Sequence, residues 1–430
     1  MFLGSITALI VLLISVVKDH PDSPKEVSFW GGVVSVARRG TLHLDGLPQL
    51  ITIDKAYFKG RYYPATPLFL TFFTGKFINI IFSVVKPDLL RNDIPIYKAA
   101  TYINTTIPLL GIFLITAYLF LKKTRIPLFS FFISLPLVFC TLLFSYSRYL
   151  TNHILVAFFT LILFAVTFEF KKLLGWKLYL IQGLLLSLMY ASDASFAFVV
   201  FVSFCLYSLF EKIRKKKSAS FSLKFFVQLI IGALPIFITV SILNFKAFKT
   251  IFPPQVQFEK YFGYEGSHFS NIDDPLNINV YRSSILIGVF NQLFGSHGIF
   301  LYTPILFFFF FYRNKRDMVW KFLLFVLLCS VITYSVVSPN FGGWSYGNRR
   351  LLPLIPPLYY YSVLYVLKKK KSLITFVFIL TLLVSFFFSY IGFKNTWFNK
   401  RLYINRNFSY FPLLYNLNKD YLGGKIHYDL

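Results

Sequence analysis

Long apolar runs alternate with short polar segments along almost the whole chain. The runs cover 2–17, 65–85, 98–121, 127–146, 151–170, 176–190, 194–210, 222–244, 297–312, 319–337, 351–367 and 372–393. Most approach the ~20 residues that match a bilayer's hydrocarbon core as a helix. The pattern predicts an all-α polytopic membrane protein. Five basic clusters separate the runs: Lys122-Lys123-Thr124-Arg125, Lys171-Lys172 with Lys177, Lys212 to Lys217, Arg313 to Arg316, and Lys368 to Lys371. Lys and Arg stay on the cytoplasmic side. If 65–85 dips into the outer face without crossing, all five clusters fall inside, with eleven spans, the N-terminus in and the C-terminus out. If it crosses, all five fall outside. Thr66-Pro67, Gly75 and Lys76 in that segment also suit a dip. The tail is a dissenter: Lys394, Lys400, Arg401, Arg406, Lys419 and Lys425 stand against Asp420 and Asp429. The five clusters outweigh it. The expected organisation is a transmembrane domain over 1–393, with outer loops 18–97 and 245–296, and a short basic periplasmic tail over 394–430.

Composition agrees. The 430 residues are 56% hydrophobic, too apolar for a soluble globule. A net charge of +27, from 44 Lys and Arg against 17 Asp and Glu, would suit nucleic acid elsewhere. Here the cations sit between apolar runs, so a nucleic-acid partner is excluded and membrane lipids are the expected surroundings. The first run has no basic n-region and no small-residue cleavage site, which predicts a retained anchor. Cys140, Cys205 and Cys329 lie inside apolar runs, with no zinc or disulfide spacing.

Local signals are strongest in the first polar stretch, Lys18 to Pro67. Ser23-Pro24-Lys25-Glu26 reads as a capping box with proline at the first helical position. It predicts a helix to Arg39 that stops at Gly40. Val27, Trp30, Val33, Val34 and Ala37 recur at helical spacing, so the helix is expected to lie in the interface. Asp22 then precedes a helix N-terminus, where the macrodipole favours a carboxylate.

An acid after the first span, two amphipathic juxtamembrane helices along the outer face, and a Tyr/Pro-rich segment before the next span resemble the GT-C integral-membrane glycosyltransferases. That group includes the aminoarabinose transferases of lipid A and the protein O-mannosyltransferases. Asp22-Ser23-Pro24-Lys25-Glu26 is similar to the Asp-Glu-Pro-Arg-Tyr-like start of the first outer helix. Gly60-Arg61-Tyr62-Tyr63-Pro64-Ala65-Thr66-Pro67 resembles the Tyr-x-x-Lys-x-Pro region, with Thr66 near the place of the lysine. Trp344-Ser345-Tyr346-Gly347-Asn348-Arg349-Arg350 is similar to Trp-x-x-Gly-Pro-Arg-Tyr, with Asn348 and Arg350 in place of Pro and Tyr. The resemblance implies transfer of a sugar from a polyprenyl-phosphate donor to a lipid, glycan or protein acceptor. The transfer takes place on the outer face of the cytoplasmic (inner) membrane, with the first-loop acid as base.

Inverting transfer needs a base for the acceptor hydroxyl and cations for the departing phosphate. Asp22 is the expected base and Asp19 its competitor. Arg349, Arg350, Arg61 and Lys55 are the candidates for the phosphate. Tyr63 and Trp344 are candidates for the sugar, and His20 for tuning the acids. Glu265, His268, Asp273 and Asp274 are candidates to contact the acceptor or a divalent cation, the one cofactor left open, although their spacing matches no metal template. No Walker loop, dinucleotide fingerprint or nucleophile elbow occurs. A lipid-linked saccharide flippase would line a path with charges inside spans, whereas the span centres here are nearly free of charge. An O-antigen ligase or polymerase would put arginines and a histidine in a large late loop; His268 and Arg282 are the nearest match.

Overall fold

A computed structural model describes residues 2–170, 177–214, 219–264, 267, 285–312, 318–337, 345–369, 371–397 and 413. It is nearly all helical. The first elements are α1 (Phe2–Ser15), α2 (Pro24–Arg39), the strands β1 (Lys55–Phe58) and β2 (Arg61–Pro64), and α3 (Leu68–Val85). Next comes α4 (Asp93–Thr124), which is helical throughout with a π-turn over Tyr102–Thr106. Among the described residues, six helices are long and apolar enough to cross a membrane: α3, α4, Asn152–Glu169, Phe225–Phe248, Val319–Val336 and Ser372–Lys394. Gly4–Ser15, Pro127–Phe139, Leu178–Ser192 and Ala194–Tyr207 are apolar but shorter.

α2 begins and ends where its caps predict. The Ser23 hydroxyl accepts from the Glu26 backbone N–H, and Gly40 closes the helix in the left-handed region at φ 68°. Its surroundings differ from those of a helix lying open in the interface. Phe29, Val33, Val34 and Ala37 are buried among α3, the start of α4 and the hairpin.

One other expectation is corrected. The chain is not wholly α, because 55–64 folds into an antiparallel hairpin with Lys55 opposite Pro64. Its two-residue turn, Lys59-Gly60, takes positive φ at both positions, the twist that suits a tight hairpin. The segment expected to dip is an unbroken helix, α3. Pro67 only caps it, and Gly75 marks a close approach: a Cβ there would lie 2.6 Å from Val36 Cβ.

Two apolar cores result. The larger lies within the helix bundle. The smaller joins α2, the hairpin, α3 and the start of α4 to Val240–Phe248 and Tyr261-Phe262. The π-turn of α4 helps join the two. Thr105 donates to the Tyr149 carbonyl at 2.7 Å, and Asn104 donates to Thr74 of α3 at 3.0 Å.

Candidate active site at the head of the second helix

The site lies where the N-terminus of α2 meets the bundle. Asp22 precedes the cap. Its Oδ2 pairs with Lys18 and accepts from the Tyr149 hydroxyl at 3.1 Å, and His20 Nδ1 lies 3.2 Å from Oδ1. The Tyr149 ring stands edge-on to Trp397, centroids 5.9 Å apart, and the Arg349 guanidinium lies over Trp397 at 5.4 Å. A continuous run of contacts thus joins the first-loop acid to the 345–350 turn.

That turn is held from several directions. The Tyr346 N–H donates to the Thr396 carbonyl at 2.9 Å, and the Tyr146 hydroxyl donates to the Tyr346 carbonyl at 2.9 Å. Gly347 sits at φ 68° against Leu142 and the Tyr302 ring, a position closed to a side chain. Asn348 accepts from the Arg350 N–H at 3.1 Å and donates to Gln292 at 3.1 Å. Arg350 then lies over the Tyr334 ring at 5.5 Å. Among the described residues, Arg349 Nε, Tyr334 Oη and Trp397 Nε1 are buried with no hydrogen-bond partner. Donors left unpaired around two arginines are what an absent acceptor-rich ligand would satisfy.

A third cation comes from α2. Lys25 Nζ lies 3.5 Å from His153 Nε2, and His153 Nδ1 lies 3.5 Å from Asp193 Oδ2. Asp193 sits at the break between Leu178–Ser192 and Ala194–Arg214, where its Oδ1 accepts from the Phe196 N–H at 3.2 Å. Burial and the field of Arg349 pull the Lys25 ammonium down from 10.5 to about 7, against the opposing pull of Asp193 and Asp54, with Arg350 lowering it further. An arriving anion would reverse that field.

Glu26 is buried beside these groups. Its Oε1 accepts from the Tyr97 hydroxyl at 3.0 Å and the Leu150 N–H at 3.1 Å, and Oε2 accepts from the Asp22 N–H at 3.1 Å. Burial pushes it up to about 8, while the donors from Asp22, Tyr97 and Ser23 pull the other way. It ties α2 to α4 and to the 147–151 turn.

No protein-family model and no curated protein matches this chain.

His20 stays beside Asp22 but is 72% exposed. The other candidates from the sequence are placed apart from this cluster. Asp19 pairs with Lys98 on an exposed flank. Lys55 donates to the Leu50 carbonyl at 2.8 Å and lies over Tyr62; burial pulls its pKa down. Arg61 is exposed beside the hairpin turn. Tyr63 is 8% exposed and packs on Phe248, so its ring serves the smaller core. What this loop brings to Lys25 is the charge of Asp54. Trp344, the Gly342-Gly343 pair, Glu265, His268, Asp273, Asp274 and Arg282 lie outside the described residues.

Sequence reading passed over Lys25, Tyr149, His153, Asp193, Tyr334 and Trp397 as site residues. The available signal was weak. Lys25 stands inside the capping box, while His153 and Asp193 are ionisable residues at the edges of apolar runs.

Proposed function

We propose that the chain is an integral-membrane glycosyltransferase of the GT-C kind, moving a sugar from a polyprenyl-phosphate donor to a hydroxyl-bearing acceptor with inversion. Arg349, Arg350 and Lys25 hold the donor phosphate, and Asp22 is the base. The acceptor oxygen attacks the anomeric carbon and its proton passes to Asp22. The bond from that carbon to the phosphate oxygen breaks, and polyprenyl phosphate leaves with the electron pair. The cations stabilise the charge that gathers on the departing phosphate. The observation that carries this reading is the half-buried cluster of three cations, with buried unpaired donors beside them, joined to a first-loop carboxylate through Tyr149 and Trp397.

The reading keeps eleven spans in the inner membrane, with the site on the outer face. Two features support it. At 32 residues, α4 is about 48 Å long, well beyond a ~30 Å hydrocarbon core, and α3 is bonded to it at Asn104, in its Asp93 half. Lys122-Lys123 lie at the opposite end of α4 from Asp93, where the positive-inside bias puts the cytoplasm.

The test is mass spectrometry of envelope lipids, glycans and proteins from a deletion strain. One sugar modification is expected to vanish, to return with the wild-type gene, and to stay absent with Asp22→Asn despite normal membrane levels. Full restoration by that variant removes Asp22 as base.

A further inference from the structure

We propose that Asp193 and His153 are positioning residues for Lys25, aiming its ammonium at the anion site without neutralising it. The inference rests on the reading that this site takes a prenyl-linked phosphate.

The contrast with nearby lysines carries the argument. Lys18 and Lys98 each pair directly with a carboxylate, Asp22 and Asp19. A lysine so paired is oriented, but its charge is already answered. Lys25 instead faces a ring nitrogen, His153 Nε2. That nitrogen accepts from an ammonium only if the imidazole is neutral with its hydrogen on Nδ1. Nδ1 lies 3.5 Å from Asp193 Oδ2 with no hydrogen bond closed, and the field of a carboxylate on that side favours this tautomer. The negative charge is thus held one imidazole away from the ammonium. Lys25 is directed, kept protonatable in a cation-rich surrounding, and left free to meet a phosphate beside Arg349 and Arg350.

Helix capping does not account for the pair. Thr151 caps the His153 backbone N–H at 3.3 Å, leaving the ring unused. Asp193 caps Phe196 with Oδ1 alone, and Oδ2 is the atom turned to His153. The charged groups around Lys25 are Arg349, Arg350, Asp193 and Asp54, with Asp22 and Glu26 on its own helix segment.

The test is binding of farnesyl phosphate, with farnesol as control, to the detergent-solubilised full chain between about pH 6 and pH 9. A lysine titrating near neutrality loses about tenfold in anion affinity per pH unit once deprotonated. Lys25→Arg, which stays charged, has the same ligand titration and serves as the reference. Wild-type affinity is expected to fall more steeply than that of Lys25→Arg above about pH 7. Asp193→Asn keeps an oxygen for the Phe196 N–H, so it should melt normally, yet bind about tenfold more weakly at neutral pH with the fall moved to lower pH. His153→Gln, which retains an acceptor for Lys25, should bind better than His153→Leu. Parallel pH profiles for wild type and Lys25→Arg, or normal binding by Asp193→Asn, overturn the proposal while leaving the phosphate site standing. Equal binding of farnesol and farnesyl phosphate by the wild type overturns the phosphate reading, and this inference with it.

Discussion

The helix Asn152–Glu169 carries cations around both of its ends, and the two groups are built in opposite ways. At the Glu169 end, Lys122 and Lys123 reach one carboxylate at 3.7 and 3.3 Å while remaining 41% and 43% exposed. Lys122 also donates to the Glu169 carbonyl at 2.7 Å, a cation answering the negative end of the helix dipole. Water reaches both lysines, and exposed pairs of this kind contribute ~0–1 kcal/mol. At the His153 end, about 24 Å away at 1.5 Å per residue, Arg349 and Arg350 lie over the Trp397 and Tyr334 rings, Lys25 faces His153, and several of the donors there have no partner. Basic residue content is similar at the two ends; what differs is solvation. Cations that keep their water report on topology, whereas cations gathered out of water imply something that balances them when it binds.

The largest effect expected from that contrast is loss of Arg349. Arg349→Ala should cut sugar transfer by more than ~100-fold in washed membranes, the scale of losing a phosphate-stabilising cation. Lys25→Met should come next and act with opposite signs on function and stability. Between pH ~7 and ~10.5 the unfolded chain binds more protons than the folded one at this lysine, so wild-type stability rises with pH over that window. Below about 7 the burial penalty is present in full. Lys25→Met should therefore melt a few degrees above the wild type near pH 7, with the gain shrinking toward pH ~10.5, while donor binding is lost. A lower melting temperature near neutral pH would mean that Lys25 has its counter-charge in place without ligand. Smallest of all, Lys122→Ala and Lys123→Ala should leave transfer within about twofold, since both cations are solvated and far from the chemistry. A tenfold loss from either would break the comparison.

The sequence made the α2 helix legible almost to the residue, because capping is local chemistry: Ser23, Pro24 and Gly40 act on backbone within one turn of themselves. The apolar runs showed where helices occur, but not how far single helices continue. α4 runs through from Asp93 because Asn92 caps it well before the apolar run begins. The hairpin was missed because Lys59-Gly60 carries no Asn-Gly or Asp-Gly signature. The candidate site was half legible. Asp22 and the two arginines stood out as charges in an apolar chain. Lys25, His153 and Asp193 did not, since their importance lies in being brought together across 168 positions by three separate elements.

On the proposed function, the half-buried cluster beside His153 binds an anionic group and the exposed one beside Glu169 does not. The most direct measurement is the thermal shift of purified full-length protein with farnesyl phosphate and with farnesol. Stabilisation is expected from the phosphate alone, lost when Arg349 and Arg350 are both changed to alanine and retained when Lys122 and Lys123 are. An equal shift with farnesol, or a shift that survives loss of the arginine pair but not of the lysine pair, would contradict it.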